Sequence, residues 1–240
     1  MKKPVHYLLA FFLLTTVHLS VSASLDSFIK KTDAFLKKNV SNGKVDYQAI
    51  STAPAQLNEL VNEVSTMSVS SFSKGQKLAF YINAYNVLVI KGIASKYPVA
   101  SPMDISGFFD KTKHMIANES LSLNELENKK VRVYKDARIH FALVCAAISC
   151  PELINEAYDP STVNQQLQKK AIASINNANF SRVKSKSSSV YISEIFKWYS
   201  GDFIKEGESI IRYLNTFRKN PIPKDYANKS YPYSWNINKK

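Results

Sequence analysis

Lys74-Gly-Gln-Lys-Leu-Ala-Phe-Tyr-Ile-Asn-Ala-Tyr-Asn-Val-Leu-Val-Ile-Lys-Gly-Ile-Ala-Ser-Lys96 is the stretch on which the fold turns. It reads as one long buried helix, stopping before Tyr97-Pro98 because the residue ahead of a proline is pushed out of the helical region. Its apolar centre, Leu78 to Ile90, is interrupted by Asn83 and Asn86 and is therefore no membrane span. The two asparagines lie one turn apart and share a helix face.

On the amino-terminal side, Leu25, Phe28, Ile29 and Leu36 fall at helical spacing, as do Leu57, Leu60, Val61, Val64 and Met67. Between these helices Asn42-Gly43 is a turn and Val45-Asp46-Tyr47 a short strand. On the other side, Pro98 to Thr112 is turn-rich, with Gly107-Phe108-Phe109 as a packed loop. Ser122-Leu-Asn-Glu125 has the form of a capping box that opens a short helix through Glu127.

Asp136 is placed to cap a helix over Arg138 to Ile148, although a buried strand over Ile139 to Val144 fits the same apolar run. Cys150-Pro151-Glu152, with proline at a first helical position and an acid in the first turn, reads as a further helix start. A helix fills Thr162 to Asn176, a hairpin joins Ser181-Arg-Val to Val190-Tyr-Ile, and a last helix covers Glu208 to Phe217. A Pro- and Tyr-rich tail leads to Trp235. The expected fold class is α+β, predominantly helical with a small antiparallel sheet, in one domain over residues 24–240.

Residues 1–23 read as a cleavable signal peptide. Lys2 and Lys3 precede the apolar run Tyr7 to Val17, which is too short to span a bilayer core of ~20 residues. Val21-Ser22-Ala23 supplies the small residues of a cleavage site, and no cysteine follows to carry a lipid. The expectation is a periplasmic or secreted protein, monomeric by default, with no stable membrane anchor.

The formal charge is +13, from 32 Lys and Arg against 19 Asp and Glu. The lysines are scattered, never more than a pair together, which favours a solubilising surface over a site for nucleic acid. With 6 glycines in the chain and no phosphate-cradling loop, nucleotide sites are not expected. His-Glu-x-x-His, Cys-x-x-Cys and Gly-x-Ser-x-Gly are absent as well, and neither a metal nor a cofactor is expected.

The chemistry-bearing residues gather in Arg138-Ile-His-Phe-Ala-Leu-Val-Cys-Ala-Ala-Ile-Ser-Cys-Pro151, which holds both cysteines and one of the 4 histidines. Thiols react as thiolates, and a helix start ahead of Pro151 would favour charge on Cys150. Cys150 is thus the candidate nucleophile and His140 its base, with Cys145 a small buried neighbour. The alternative is a core histidine beside buried or bridged cysteines. An asparagine in an apolar helix needs partners, so Asn83 and Asn86 either clamp a loop or orient the imidazole or a substrate amide. In Ser193-Glu-Ile-Phe-Lys-Trp-Tyr-Ser-Gly-Asp-Phe203, Trp198 and Asp202 are candidates to edge a substrate cleft.

At these three clusters the chain resembles the bacterial and plant family called domain of unknown function 547. The family pattern runs close to Phe-Trp-Ile-Asn-Ala-Tyr-Asn, then Ile-His-Phe-Ala-Leu-Asn-Cys-Ala-Ser-x-Ser-Cys-Pro, then Leu-Ser-x-Ile-Phe-x-Trp-Tyr-x-x-Asp-Phe. Here Asn83 to Asn86 match the first motif, with Tyr81 in place of its Trp. His140, Phe141, Cys145, Ser149, Cys150 and Pro151 match the second; Ile195, Phe196, Trp198, Tyr199, Asp202 and Phe203 match the third. Glu127, Asn155, Tyr158 and Trp235 also resemble family positions, over a span of about Val45 to Asn238. Val144 and Ala147 depart from the pattern, standing where the family tends to have Asn and Ser.

The resemblance implies kinship rather than a reaction, and only a loose analogy to papain-type folds. From the residues themselves the expectation is a thiol-dependent hydrolase or acyltransferase acting on a small-molecule or peptide-like substrate. The alternatives are a redox-sensing or ligand-binding module that meets a low-molecular-weight thiol, and a structural interaction domain.

Overall fold

Why the chain folds around one helix is visible at Ser73, whose hydroxyl accepts from the amide of Gln76 while the Gln76 side chain accepts from the Ser73 amide. This reciprocal cap satisfies two of the amides that a helix start leaves open. A computed structural model of the chain describes residues 24–204 and 208–240, and the signal-peptide expectation for residues 1–23 lies outside them. The described amino-terminal elements are α1 (Leu25–Asn39), the short pair β1 (Val40–Ser41) and β2 (Lys44–Val45), α2 (Tyr47–Thr52), α3 (Ala55–Thr66) and α4 (Lys74–Ala94). Helix α4 is buried along nearly its whole length from Leu78 to Ala94.

A second hairpin, β3 (His114–Ile116) with β4 (Glu119–Leu121), leads into α5 (Leu123–Leu126), capped by Ser122 with Glu125 reciprocating. The chain then passes through a wider turn, Glu127–Val131, and a tight turn, Arg132–Tyr134. After the loop of residues 142–162 come α6 (Val163–Asn176), β5 (Ser181–Lys184), β6 (Ser189–Ile192), α7 (Ile195–Trp198), α8 (Ser200–Phe203), α9 (Ile210–Asn215) and β7 (Ala227–Ser230). The fold is α+β, mainly helical. β5 and β6 pair antiparallel, and β7, from the tail, adds in parallel beside β6.

Two apolar cores meet along a seam. The larger gathers Phe28, Leu60, Phe80, Ile82 and Val87 around α4; the smaller gathers Phe180, Val190, Phe196, Phe203 and Leu214 around the three-stranded sheet. The segment at residues 139–142 stitches them: Ile139 and Ala142 enter the first core and Phe141 the second.

Two expectations fail here, both beside the cysteines. The proposed helix over Arg138 to Ile148 is only a single tight turn, Ala137–Phe141, with Asp136 accepting from the Arg138 amide as its cap. Neither does a strand form over Ile139 to Val144. The carbonyl of Ala142 and the amide of Val144 are taken by the Asn86 side chain, and Ala146 has φ 63°, which no helix allows. The helix expected at Cys150-Pro151-Glu152 is absent too. Instead the tail holds this stretch, with Ile148 and Ser149 donating to the carbonyls of Asn236 and Ser234.

Val45-Asp46-Tyr47 is split: Val45 ends β2, and the Asp46 side chain accepts from Ala49 to cap α2.

Gly92, within α4, shows how tightly the site's frame is packed. A Cβ there would lie 2.5 Å from Cε2 of Phe108, which is itself braced edge-on against Phe109 at 4.7 Å. Gly92→Ala should therefore destabilise the protein by about 1–2 kcal/mol, the overpacking cost outweighing the helix-propensity gain of about 1 kcal/mol. Thermal melting checks this; a raised melting temperature would mean that Phe108 yields freely.

Candidate active site

The third-motif segment and the tail close a cavity of about 210 Å³ over the seam. Its walls are mostly aromatic. Trp198 and Trp235 stack at 5.8 Å with an interplanar angle of 19°, and Tyr233 packs against both at 4.8 Å. Phe109 adds the far side, 6.2 Å from Trp235. Trp198, 45 % exposed, forms part of the rim. Into this apolar space project Cys145, Cys150, His140 and Glu127.

Both cysteines are free thiols. The amide of Cys145 donates to Sγ of Cys150 at 2.9 Å, and Sγ of Cys145 lies 3.1 Å from the Tyr233 hydroxyl. Burial works against ionisation of Cys145, but hydrogen bonds from the Cys150 thiol, Tyr233 and the Ala147 amide outweigh it and hold this thiol below its ordinary range. Cys150 moves the other way, raised well above that range by burial and by the charge of its neighbour. The two thiols titrate as a coupled pair. Tyr233 is pushed upward by burial and by both sulfurs, and so remains a donor.

His140 is not bonded to Cys150. Its Nε2 lies 2.7 Å from Oδ2 of Asp202, and its ring stacks on Tyr199 at 3.9 Å. Arg132 clamps the same carboxylate with both Nε (2.7 Å) and a terminal nitrogen (3.0 Å), holding Asp202 below the usual carboxylate range. Burial depresses His140 to about 4, only partly opposed by Asp202, so the imidazole is neutral near pH 7. Since Asp202 is ionised, Nε2 carries the proton and Nδ1 is a lone pair.

Opposite Nδ1, at 3.8 Å, stands Oε1 of Glu127. Glu127 is 7 % exposed, and Oε1 has no hydrogen-bond partner among the described residues. Burial raises its carboxyl above the usual range, against a hydrogen bond from Tyr199 and the charge of Arg132.

The asparagines serve as scaffold. Asn83 binds both the carbonyl and the amide of Tyr158, at 2.8 and 3.0 Å. Asn86 binds the carbonyl of Ala142 and the amide of Val144, both at 3.0 Å. Each side chain is bonded to backbone, the loop clamping that is one of the two readings of these asparagines. Asp202, expected at the cleft edge, is instead the partner of His140 and Arg132. Among the residues that sequence reasoning did not assign to the site, Glu127 and Trp235 stand at the family-like positions noted above and Tyr199 within the third motif. Arg132 and Tyr233 carry no sequence signal of their own. No set of three or more His, Cys, Asp and Glu side chains converges as a metal site among the described residues.

The model of a family described as a protein of unknown function, DUF547, matches residues 69–173. That segment carries α4, Glu127, Arg132, His140 and both cysteines, while Trp198, Tyr199, Asp202 and Tyr233 lie beyond it. No curated protein and no solved structure matches the chain.

Proposed function

We propose, from the premise that residues 69–173 belong to the DUF547 family, that the protein is a thiol-dependent acyl hydrolase or acyltransferase with Cys145 as its nucleophile. One observation carries this reading. Cys145 Sγ lies 3.1 Å from the Tyr233 hydroxyl, and it opens on a cavity shared with His140. A thiol so placed faces a ligand in the cavity, and a hydroxyl beside it can support its charged form.

Cys150, placed here by the tail rather than by a helix start, accepts from the Cys145 amide. In the first step the Cys145 sulfur attacks an ester, thioester or amide carbonyl, a carbon–sulfur bond forms as the carbon–leaving-group bond breaks, and the leaving group departs with the proton that the thiol gives up. In the second, water or another acceptor attacks the acyl carbon, and sulfur leaves as thiolate. His140 supplies Nδ1 to take the acceptor's proton, while the Nε2–Asp202 hydrogen bond supports the imidazolium that forms.

Reduced protein incubated at pH 6 with p-nitrophenyl acetate should gain one acetyl group, mapped to Cys145 by peptide mass spectrometry. Cys145→Ala should lose the adduct by about 100-fold or more, and Cys150→Ala should retain it with a raised pH dependence. An adduct confined to Cys150, or none on the folded protein, overturns the assignment.

The closeness of the two sulfurs favours a second reading, dithiol exchange. There Cys145 attacks a small disulfide and expels one thiolate; Cys150 then attacks Cys145 sulfur and expels the other, closing the bridge as two electrons pass to the substrate. Rapid bridging by glutathione disulfide, with no acylation, would select it. An exported location for either chemistry rests on the leader-like residues 1–23.

A further inference from the structure

The gap between His140 and Glu127 is the least satisfied place in the cavity. Nδ1 of His140 is an acceptor because Nε2 carries the proton toward Asp202. Oε1 of Glu127, 3.8 Å away, is also an acceptor, and it has no partner among the described residues. Two buried lone pairs facing each other call for a donor, since a buried carboxylate oxygen without one is costly. A nitrogen at about 2.8 Å from each, an ordinary hydrogen-bond length, fits between acceptors so spaced.

We propose that this gap is the amine subsite of the cavity, taking a small primary amine held as its ammonium between Glu127 Oε1 and His140 Nδ1. Three features favour an ammonium over a neutral hydroxyl. Glu127 offers a carboxyl that a neighbouring ammonium would hold ionised, while Arg132, the cation close by, is committed through Nε and one terminal nitrogen to Asp202 and through the other to Asn128. The surrounding walls, from Tyr199 to Trp198, Tyr233 and Trp235, present aromatic rings, which attract cations. At about 210 Å³ the space suits a short-chain amine.

Binding of the amine is independent of the thiol reading; its place in a reaction rests on that reading. With an acyl group on Cys145, the ammonium yields one proton to Glu127, and the neutral nitrogen attacks the acyl carbon. The carbon–nitrogen bond forms and the carbon–sulfur bond breaks. The second nitrogen proton passes through His140 Nδ1 to the departing sulfur, leaving an amide and a free Cys145 thiol, and Glu127 returns its proton to solvent. Run in reverse, the same subsite holds the leaving amine of an amide under cleavage.

The test is a titration of reduced full-length protein with n-butylamine and with n-butanol at pH 7.5, followed by the NMR signals of the Trp198 and Trp235 indole N–H groups. The amine should bind about tenfold or more tightly than the alcohol, and Glu127→Gln should erase that preference. Equal affinity for the two ligands, or an unchanged preference in a folded Glu127→Gln protein, overturns the proposal. Should that variant fail to fold, the wild-type ratio decides alone. Amine preference without acylation of Cys145 leaves the subsite standing and removes the thiol reading. Acylation without amine preference removes the subsite alone and makes the gap a place for hydrolytic water.

Discussion

Asn86→Ala is expected to lower the unfolding free energy by about 4 kcal/mol, two orphaned buried backbone groups at about 1–3 kcal/mol each plus the loss of packing. For a domain of this size the melting temperature should drop by about 10 °C. The groups concerned are the Ala142 carbonyl and the Val144 amide, both now bonded to the Asn86 side chain. They flank Leu143, two residues ahead of Cys145, so the loop should loosen before the helices do. In the variant, alkylation of Cys145 should lose its reach to low pH, because the sulfur no longer keeps station against Tyr233. Asn86→Asp is the sharper control: it keeps an acceptor for Val144 but sets a carboxylate oxygen against the Ala142 carbonyl. Urea unfolding measures the first effect. A loss below about 1 kcal/mol would mean that water replaces the clamp without penalty.

Acidification should destabilise the protein through His140. In the unfolded chain this histidine takes a proton near 6.5, whereas in the folded protein burial delays protonation to about 4. Between those values the unfolded state binds more protons, so stability rises with pH across that window and is lost on going down through it. The full contribution is about 3 kcal/mol. Glu127 runs the other way: its folded carboxyl is raised, so it favours the folded state most at low pH and loses that effect as pH rises. The measurement is therefore a difference, the pH dependence of urea unfolding in wild type less that in His140→Gln. Parallel curves between pH 6.5 and 4 would show that His140 titrates normally. The wild-type imidazole should also be found by NMR as the Nε2-protonated tautomer at pH 7.

Much of the helical frame is legible in the sequence. The run from Lys74 identifies α4 because apolar residues on all sides of a helix leave it no place but the core. Ser122 with Glu125, and the hairpin around Ser185, are read from local chemistry that needs no distant partner. The candidate site is legible as a set of residues and not as a geometry. Its failures share one cause. Residues 138–151 have the composition of a helix, but Asn86 and the tail compete for their backbone groups, and those partners are remote in sequence. The absence of the expected helix start at Pro151 also removes the helix amides expected to favour charge on Cys150. Arg132 and Tyr233 leave no trace in any local pattern, since their importance comes from Asp202 and Cys145 across the seam.

The tail that supplies Tyr233 and Trp235 is tied down at its far end as well. The Tyr47 hydroxyl donates to Oδ1 of Asn238 across a separation of 191 positions, the Asn238 carbonyl accepts from Val45, and the Asn238 amide donates to Ala146. Contacts of such span close the longest loops in the molecule and are the slowest to form, because loop entropy is lost before they reward it. Helices α1 to α4 are joined by short connections and are expected to form earlier. During refolding the thiols would then stand in an open groove while the helical body already exists, and that interval is when an oxidant could bridge or misdirect them. The order of assembly, as much as the finished cavity, sets when this chemistry becomes selective.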